Sequence, residues 1–335
     1  MNLTVAEYNA INSLTQQTDY RGLCDCLLAS ITNIAGGKSP TLLEVYDDRG
    51  PSGTQQLALD HMVIREYPSL DSQDQPGWLA AAMTASSAEK ISIITQDTGE
   101  LICVGEIAGV WRFVEIGGHR DIAVQNCIGR VAGIFANLML LIDRFERDPL
   151  TTLLNRQSFD QRFKDLIEYH RQNPRRKRVN DLPWLAIADI DHFKQVNDTY
   201  GHLFGDEILL LVSQIMRRAF RFDDLLFRYG GEEFIIILNN TDHVGADLAL
   251  ERFRRAIQNT IFPRLDEMTM SIGWAGATTR DHYSAIIHKA DKALYYAKGN
   301  GRNRVVNYAT VFGDDDVGDD RAYENVLFDG GATGS

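Results

Sequence analysis

The stretch Phe227-Arg228-Tyr229-Gly230-Gly231-Glu232-Glu233-Phe234-Ile235-Ile236-Ile237-Leu238 constrains this chain more than any other. Apolar residues run up to a Gly-Gly pair and a second apolar run leaves it, which reads as a β-hairpin. A tight turn of the primed type needs φ > 0 at its centre, which glycine supplies without steric cost. The bare backbone of Gly230 and Gly231 also leaves room for a bulky ligand. Glu232 and Glu233 follow the turn directly. Successive strand side chains point to opposite faces, so one of the two is expected to meet a ligand and the other to support it from behind. A carboxylate at such a turn, facing a phosphate, is a natural Mg2+ ligand and a candidate general base.

The 335 residues suffice for two domains with separate cores. A net charge of −12 argues against general nucleic-acid binding, which depends on neutralising phosphates. No apolar run reaches the ~18 residues of a spanning helix, and no basic-then-apolar segment marks a signal peptide. A cytoplasmic location is therefore expected. The 4 cysteines are Cys24, Cys26, Cys103 and Cys127. Cys24-Asp25-Cys26 lacks a second pair at zinc spacing, so reduced, partly buried thiols are expected, with a redox or metal sensor as the alternative.

Residues 1–118 read as one α+β module. Leu23, Leu27, Leu28, Ile31 and Ile34 give a helical stripe that stops at Gly36-Gly37. Strands are expected over 41–46, 91–94, 101–104 and 110–116, and a helix over 77–86. The layout resembles a GAF-type sensor domain. Trp78 and Trp111 read as core or interface aromatics, with a pocket lining as the alternative.

Residues 119–147 follow as a helix. Val124, Ile128, Val131, Phe135, Leu138, Ile142 and Phe145 are spaced 4-3-4-3-4-3, a heptad seam over about three heptads. That spacing suits a helix packed on its own domain or a parallel dimer helix. Its unbroken run into the next segment favours the homodimer.

The second half reads as helix 158–170, strand 184–191, a helix opening at Gly205-Asp206-Glu207, the central hairpin, helix 242–260, strand 268–274, a helix capped by Ser284 and running to Lys298, and strand 304–308. The element order is αβααββαβαβ. Asp189 at the end of a buried strand and Glu232 on the hairpin give two hard oxygen ligands on neighbouring strands, a set suited to Mg2+. Pro174-Arg175-Arg176-Lys177-Arg178 reads as a solvated basic loop. The acidic, glycine-rich segment 309–335 is expected to be a disordered tail.

These motifs together resemble the GGDEF family of diguanylate cyclases, in its GGEEF variant. The segment Asp148-Pro149-Leu150-Thr151-Thr152-Leu153-Leu154-Asn155-Arg156 is close to that family's opening D-x-L-T-G-L-x-N-R, with Thr152 where glycine is usual. The resemblance covers residues 148–308 and implies a palm-like βαββαβ core. It implies an enzyme, a GTP-dependent nucleotidyltransferase that joins two GTP into cyclic di-GMP and two pyrophosphates. The residues it assigns to metal are Asp189, the Ile190 carbonyl and Glu232, holding two Mg2+ ions, with Mn2+ as a substitute. Glu232 doubles as the base for the ribose 3′-hydroxyl, and Glu233 stands beside it among the catalytic residues. Asn197 and Asp206 are assigned to guanine, which offers donors a carboxylate can accept. Lys194, Lys298 and Arg302 are assigned to the triphosphate. Phe193, Gly230 and Gly231 complete the GTP pocket, and Asp291 supports it. Arg221 and Asp224, with Arg252, match the family's inhibitory site for product. Control by the N-terminal module is expected through the dimer helix. A catalytically silent GTP or cyclic di-GMP receptor is the alternative.

Overall fold

The computed structural model describes residues 3–36, 40–47, 62–67, 71–73, 92–95, 99–107, 109–118, 120–172, 183–222, 224–239, 241–265, 267–277 and 282–313. The chain divides into two compact units, Met1–Glu146 and Arg147–Ser335. The helix expected over 77–86, Trp78, the basic run 174–178 and the tail beyond 313 lie outside the described residues.

In the first unit, helices α1 (Leu3–Leu14) and α2 (Tyr20–Ala35) precede six strands. These are β1 (Thr41–Asp47), β2 (Met62–Tyr67), β3 (Asp71–Gln73), β4 (Ser92–Thr95), β5 (Gly99–Ile107) and β6 (Val110–Gly117), and α3 (Ile122–Phe145) closes the unit. The sheet is antiparallel in the order β3-β2-β1-β6-β5-β4. Asp19 caps α2, accepting from Gly22 N at 2.8 Å, and Gly36 ends it at φ 60. The anticipated stripe Leu23, Leu27, Ile31 and Ile34 is buried against Leu42, Ile102, Val104, Val114 and Ile116 of the sheet. The opposite face carries Leu43, Val45, Ile64, Leu101, Cys103 and Phe113, also buried. Period-2 alternation thus serves two cores at once. Cys24, Cys103 and Cys127 are buried free thiols and Cys26 is half-buried.

Helix α3 departs from the sequence expectation. Ile128, Val131 and Phe135 of the heptad seam are fully buried in the unit's own core, with Val124, Leu138 and Ile142 packed against it. A 4-3 repeat is also the stripe of any amphipathic helix lying on its own domain, and here most of it is consumed that way. Of its large apolar residues, α3 leaves Ile122 exposed at its start and Leu140, Leu141 and Phe145 in its last turns. Among the described residues α3 is also the one helix long and apolar enough to cross a membrane by length and composition, although a third of that window is buried.

The second unit contains α4 (Arg156–Gln172), β7 (Trp184–Ile190), α5 (Phe193–Tyr200), α6 (His202–Ala219), β8 (Leu225–Arg228), β9 (Glu233–Leu238), α7 (His243–Gln258), β10 (Met270–Gly276), α8 (Tyr283–Gly299), β11 (Val305–Asn307) and α9 (Tyr308–Phe312). Up to β11 this is the expected αβααββαβαβ order. The sheet runs β11-β10-β7-β9-β8, with β10 and β11 parallel and the other pairs antiparallel. Ala186, Ala188, Ile190, Phe234, Ile236 and Ile272 face a core shared with α6 and α7. Leu185, Ile187, Ile235 and Ile237 face a second core shared with α4 and α8. The sheet is therefore covered by helices on both faces.

Glycine sets one contact in this layering. A Cβ on Gly273 of β10 would lie 2.0 Å from Leu294 N and 2.4 Å from Ala290 O, so α8 rests directly on the strand's backbone. Ala290, Ala293 and Ala297 line the same contact as small, buried residues. One local expectation needs correction. Ser284 does not cap α8; His282 takes that position without a side-chain cap bond, and the Ser284 hydroxyl meets His282 Nδ1 at 2.9 Å. Thr152, standing where glycine is usual in the family the chain resembles, sits at φ 57, a conformation that a β-branched residue rarely adopts.

Candidate active site

The chemistry gathers at one end of β7 and on the turn beside it. Asp189 pairs in register with Glu233 of β9 and with Ser271 of β10. Directly opposed residues of an antiparallel pair project to the same face. Glu233, rather than Glu232, is therefore the residue across from Asp189. Glu232 ends the turn, and its carbonyl accepts from Ile190 N at 3.4 Å.

The turn is not of the primed type. Neither Gly230 nor Gly231 has a positive φ. Tyr229 N donates to Glu233 O at 2.9 Å, and Gly230 N to the same oxygen at 3.3 Å. A Cβ at 230 would approach Glu233 Oε2 to 2.8 Å, a contact the end of that side chain can relieve by shifting. Gly231 faces open space.

A cleft of about 300 Å3 opens at this end of the sheet. Asp189, Ile190, Glu232, Phe193, Lys194, Lys298 and Arg302 line it, as expected from the sequence. Lys298 Nζ lies 2.8 Å from Asp189 Oδ2, whose side chain is 8% exposed. Burial pushes the Asp189 carboxyl up, against the opposing pull of Lys298. Burial, then the Asp189 charge, likewise raises Glu232 and Glu233. Asp291 of α8 is raised by burial, and its charge reaches Glu233. The site thus holds more negative charge than its own cations neutralise, and a divalent ion would relieve that excess. Among the described residues no three His, Cys, Asp or Glu side chains form a ready-made metal cage. Mg2+ needs none, since it retains water and phosphate oxygens, so the donor set fits it.

The guanine candidates lie one helix turn away. Asn197 is on α5, and its Oδ1 would be 2.0 Å from a Cβ on Gly205. Gly205 therefore lets the Asn197 side chain lie against the start of α6, beside Asp206. Neither Asn197 nor Asp206 is among the residues lining the cleft, where Gln195 and Asp198 stand instead. The Phe193 ring is buried in the core under α5. Arg221, Asp224 and Arg252 gather elsewhere. Asp224 Oδ2 accepts from Arg221 N at 2.9 Å, its Oδ1 accepts from Asn239 N at 3.3 Å, and Arg252 donates to Ala219 O.

Two further groups brace the site. The guanidinium of Arg228 donates to Gly231 O at 3.0 Å and to Asp148 Oδ1 at 3.1 Å, joining the catalytic turn to the unit's opening segment. Asp148 in turn accepts from Thr151 N and Thr151 Oγ1, each at 2.7 Å. Burial draws its carboxyl upward, but the Thr151 bonds and Arg228 outweigh this and hold it low. Leu154 N donates to Leu226 O at 3.0 Å, and Arg228 N donates to Leu154 O at 2.8 Å, so the same segment is laced to β8. Asp191 is the second, and it is taken up below. The sequence reading passed over both; the only signals were the Arg just before the Tyr-Gly-Gly and the second acid of Asp189-Ile190-Asp191.

Residues 145–304 match the family model described as "Diguanylate cyclase, GGDEF domain". Diguanylate cyclase DosC of Escherichia coli K12 is 36% identical over 188 residues, 54% of this chain and 40% of that protein. Diguanylate cyclase A of Treponema denticola is 37% identical over 183 residues, 53% of this chain and 48% of that protein. The chain thus spans less than half the length of either relative. The crystal structure of the GGDEF domain of DgcB from Caulobacter crescentus in complex with c-di-GMP is 31% identical, with a TM-score of 0.46 over 49% of this chain and 95% of that one.

Proposed function

We propose that this chain, whose residues 145–304 form a GGDEF domain, is a diguanylate cyclase that condenses two GTP into cyclic di-GMP and releases two pyrophosphates. The observation that carries the reading is the end of β7, where Asp189 and Glu232 line one cleft with Lys298 and Arg302, and Glu233 stands across the sheet from Asp189. Bound there, divalent metal supplies Lewis-acid stabilisation of the phosphoryl oxygens. Asp189, the Ile190 carbonyl and a hairpin carboxylate are its proposed ligands. Glu232, on the cleft side, is that carboxylate and is also proposed to take the proton of the ribose 3′-hydroxyl, with Glu233 beside it across from Asp189. Burial supports that task, since it raises Glu232 towards the operating pH. Lys194, Lys298 and Arg302 neutralise the triphosphate. Asn197 and Asp206 read the donor edge of guanine. The pair Arg221 and Asp224, with Arg252 nearby, is proposed as the product site.

One cleft holds one GTP, so two catalytic units must face each other. The exposed Leu140, Leu141 and Phe145 at the end of α3 are the proposed dimer contact, in place of the buried part of the seam. The six-stranded antiparallel sheet with helices on one face supports a GAF-like sensor reading of the first unit, which would control the second.

The test is to strip bound nucleotide from the purified protein, add GTP and Mg2+, and follow pyrophosphate and nucleotide products. Cyclic di-GMP that disappears in Glu232→Ala is the expected result. GTP binding without turnover by the stripped protein would refute the cyclase reading.

A further inference from the structure

Asp191 stands two residues beyond the proposed metal ligand and lines the same cleft, yet its carboxylate is already engaged. It is 6% exposed. Its Oδ2 accepts from Thr269 Oγ1 at 2.7 Å and from Asn303 N at 3.0 Å, and its Oδ1 accepts from Ser271 Oγ at 2.7 Å. Its own N–H donates to Thr269 O at 3.0 Å. Two of these partners belong to β10 and the strand's approach; the third is the loop after α8.

That loop is unusual. Gly301, Arg302 and Asn303 have φ of 105, 59 and 46, three left-handed residues in succession, two of them not glycine. Such conformations persist only where the surroundings over-determine them. Arg302 N donates to Ala297 O at 3.0 Å, closing the end of α8. On the other side, Arg254 Nη1 donates to Asn303 Oδ1 at 2.5 Å. Asn303 is therefore held from two directions, with Asp191 on its backbone and Arg254 on its side chain. The residue immediately before Asn303 is Arg302, which lines the cleft.

We infer that Asp191 is a positioning residue, whose carboxylate fixes the left-handed 301–303 loop and so aims Arg302 at the triphosphate. The inference rests on the GTP reading above. It separates the two acids of Asp189-Ile190-Asp191: the first faces the reaction and the second serves the loop. It also makes the charge of Asp191 dispensable. In Asp191→Asn the amide oxygen can take the Oδ2 position and accept from Asn303 N and Thr269 Oγ1. The amide nitrogen can then donate to Ser271 Oγ, since a hydroxyl both donates and accepts. A metal ligand or base would not survive that exchange.

The experiment measures binding of 3′-deoxy-GTP, which lacks the attacking hydroxyl, to the full chain with Mg2+. Hydrogen exchange at the amides of 301–304 is followed in parallel. Asp191→Ala and Arg302→Ala are each expected to weaken binding about tenfold, the scale of one lost charge-assisted contact. The double variant is expected within about twofold of either single, because both remove the same contact. Asp191→Asn is expected to bind within about threefold of the unsubstituted protein and to keep the loop amides protected. A multiplicative double variant, or Asp191→Asn as damaging as Asp191→Ala, would overturn the inference. If Asp191→Ala does not fold, Thr269→Val serves, with about threefold weaker binding expected and unchanged binding refuting. Failure of the unsubstituted protein to bind the analogue would overturn the GTP reading and this inference with it. Binding that behaves contrary only in the variants overturns the inference alone.

Discussion

Replacing Gly273 by alanine tests whether α8 is located by backbone contact. The added Cβ would meet Leu294 N at 2.0 Å, Ala290 O at 2.4 Å and Ala293 C at 2.6 Å. Comfortable separation of such atoms is about 3.5 Å. All three belong to helix backbone, so no side chain can swing aside, and α8 must retreat by roughly 1 Å or more. Overpacking of this kind costs about 1–3 kcal/mol. For a unit of this size 2 kcal/mol is about 4–8 °C in Tm. Function should suffer more than stability. Lys298 and Asp291 ride on α8, and a misplacement of ~1 Å can cost ~100-fold in rate. Thermal unfolding and GTP turnover on one preparation give both readouts. A Gly273→Ala protein with unchanged Tm and unchanged turnover would refute the claim that this strand sets the helix position. Lost stability with intact turnover would show that α8 moves without carrying Lys298 out of place.

The raised carboxyls of the site make a pH-dependent prediction. Glu233 holds its proton more tightly in the folded chain than its ordinary 4.5. Its ionisation therefore costs folding stability as pH rises through the ordinary value and up to the raised one, and the cost persists above that. Glu233→Gln should raise Tm at pH 7, with the gain vanishing as pH falls below the ordinary glutamate range; an equal gain at all pH values would refute the electrostatic cause. Arg228→Ala and Asp148→Ala, singly and together, should show a coupling of about 1–2 kcal/mol in chemical denaturation, since both side chains are less than a fifth exposed; additive losses would mean the pair does not act as one brace. Phe135→Asp should destabilise the first unit by several kcal/mol as an uncompensated buried charge, about 3–5 by analogy with broken buried pairs. Leu141→Asp with Phe145→Asp should leave folding intact and shift sedimentation towards monomer. A folded dimer from the second pair would remove the α3 end as the contact.

Much of the second unit was legible because its alternation is strict. Each strand from β7 to β10 carries one residue set for each core, and the glycines and acids punctuate their ends. The element order, and Asp189 and Glu232 as a pair on neighbouring strands, could be read on that basis, whereas Lys298 and Arg302 entered only through the resemblance to the GGDEF family. What failed was whatever a local pattern states ambiguously. The 4-3 spacing of α3 does not say whether Phe135 faces a second chain or its own sheet. Gly-Gly at the hairpin signals a positive backbone angle, and neither glycine has one. Helix α1 carries few apolar residues in a clear stripe, and only Ala10 and Leu14 are buried. β2 and β3 were missed for a related reason: the apolar start of β2 breaks off at Arg65-Glu66, and the three residues of β3, Asp71-Ser72-Gln73, include no apolar one, so neither carries a periodic signal. The partners of Asp191 lie about 80 and 112 residues away, a separation no short window spans.

The brace between Asp148, Arg228 and Gly231 has a mechanical consequence. The polypeptide enters the second unit at its most sensitive point, one side chain away from the carbonyl of the catalytic turn. The Arg228 guanidinium, together with the backbone bonds of Leu154 to β8, ties the segment opening at Asp148 to the turn that carries Glu232 without an intervening hydrophobic core.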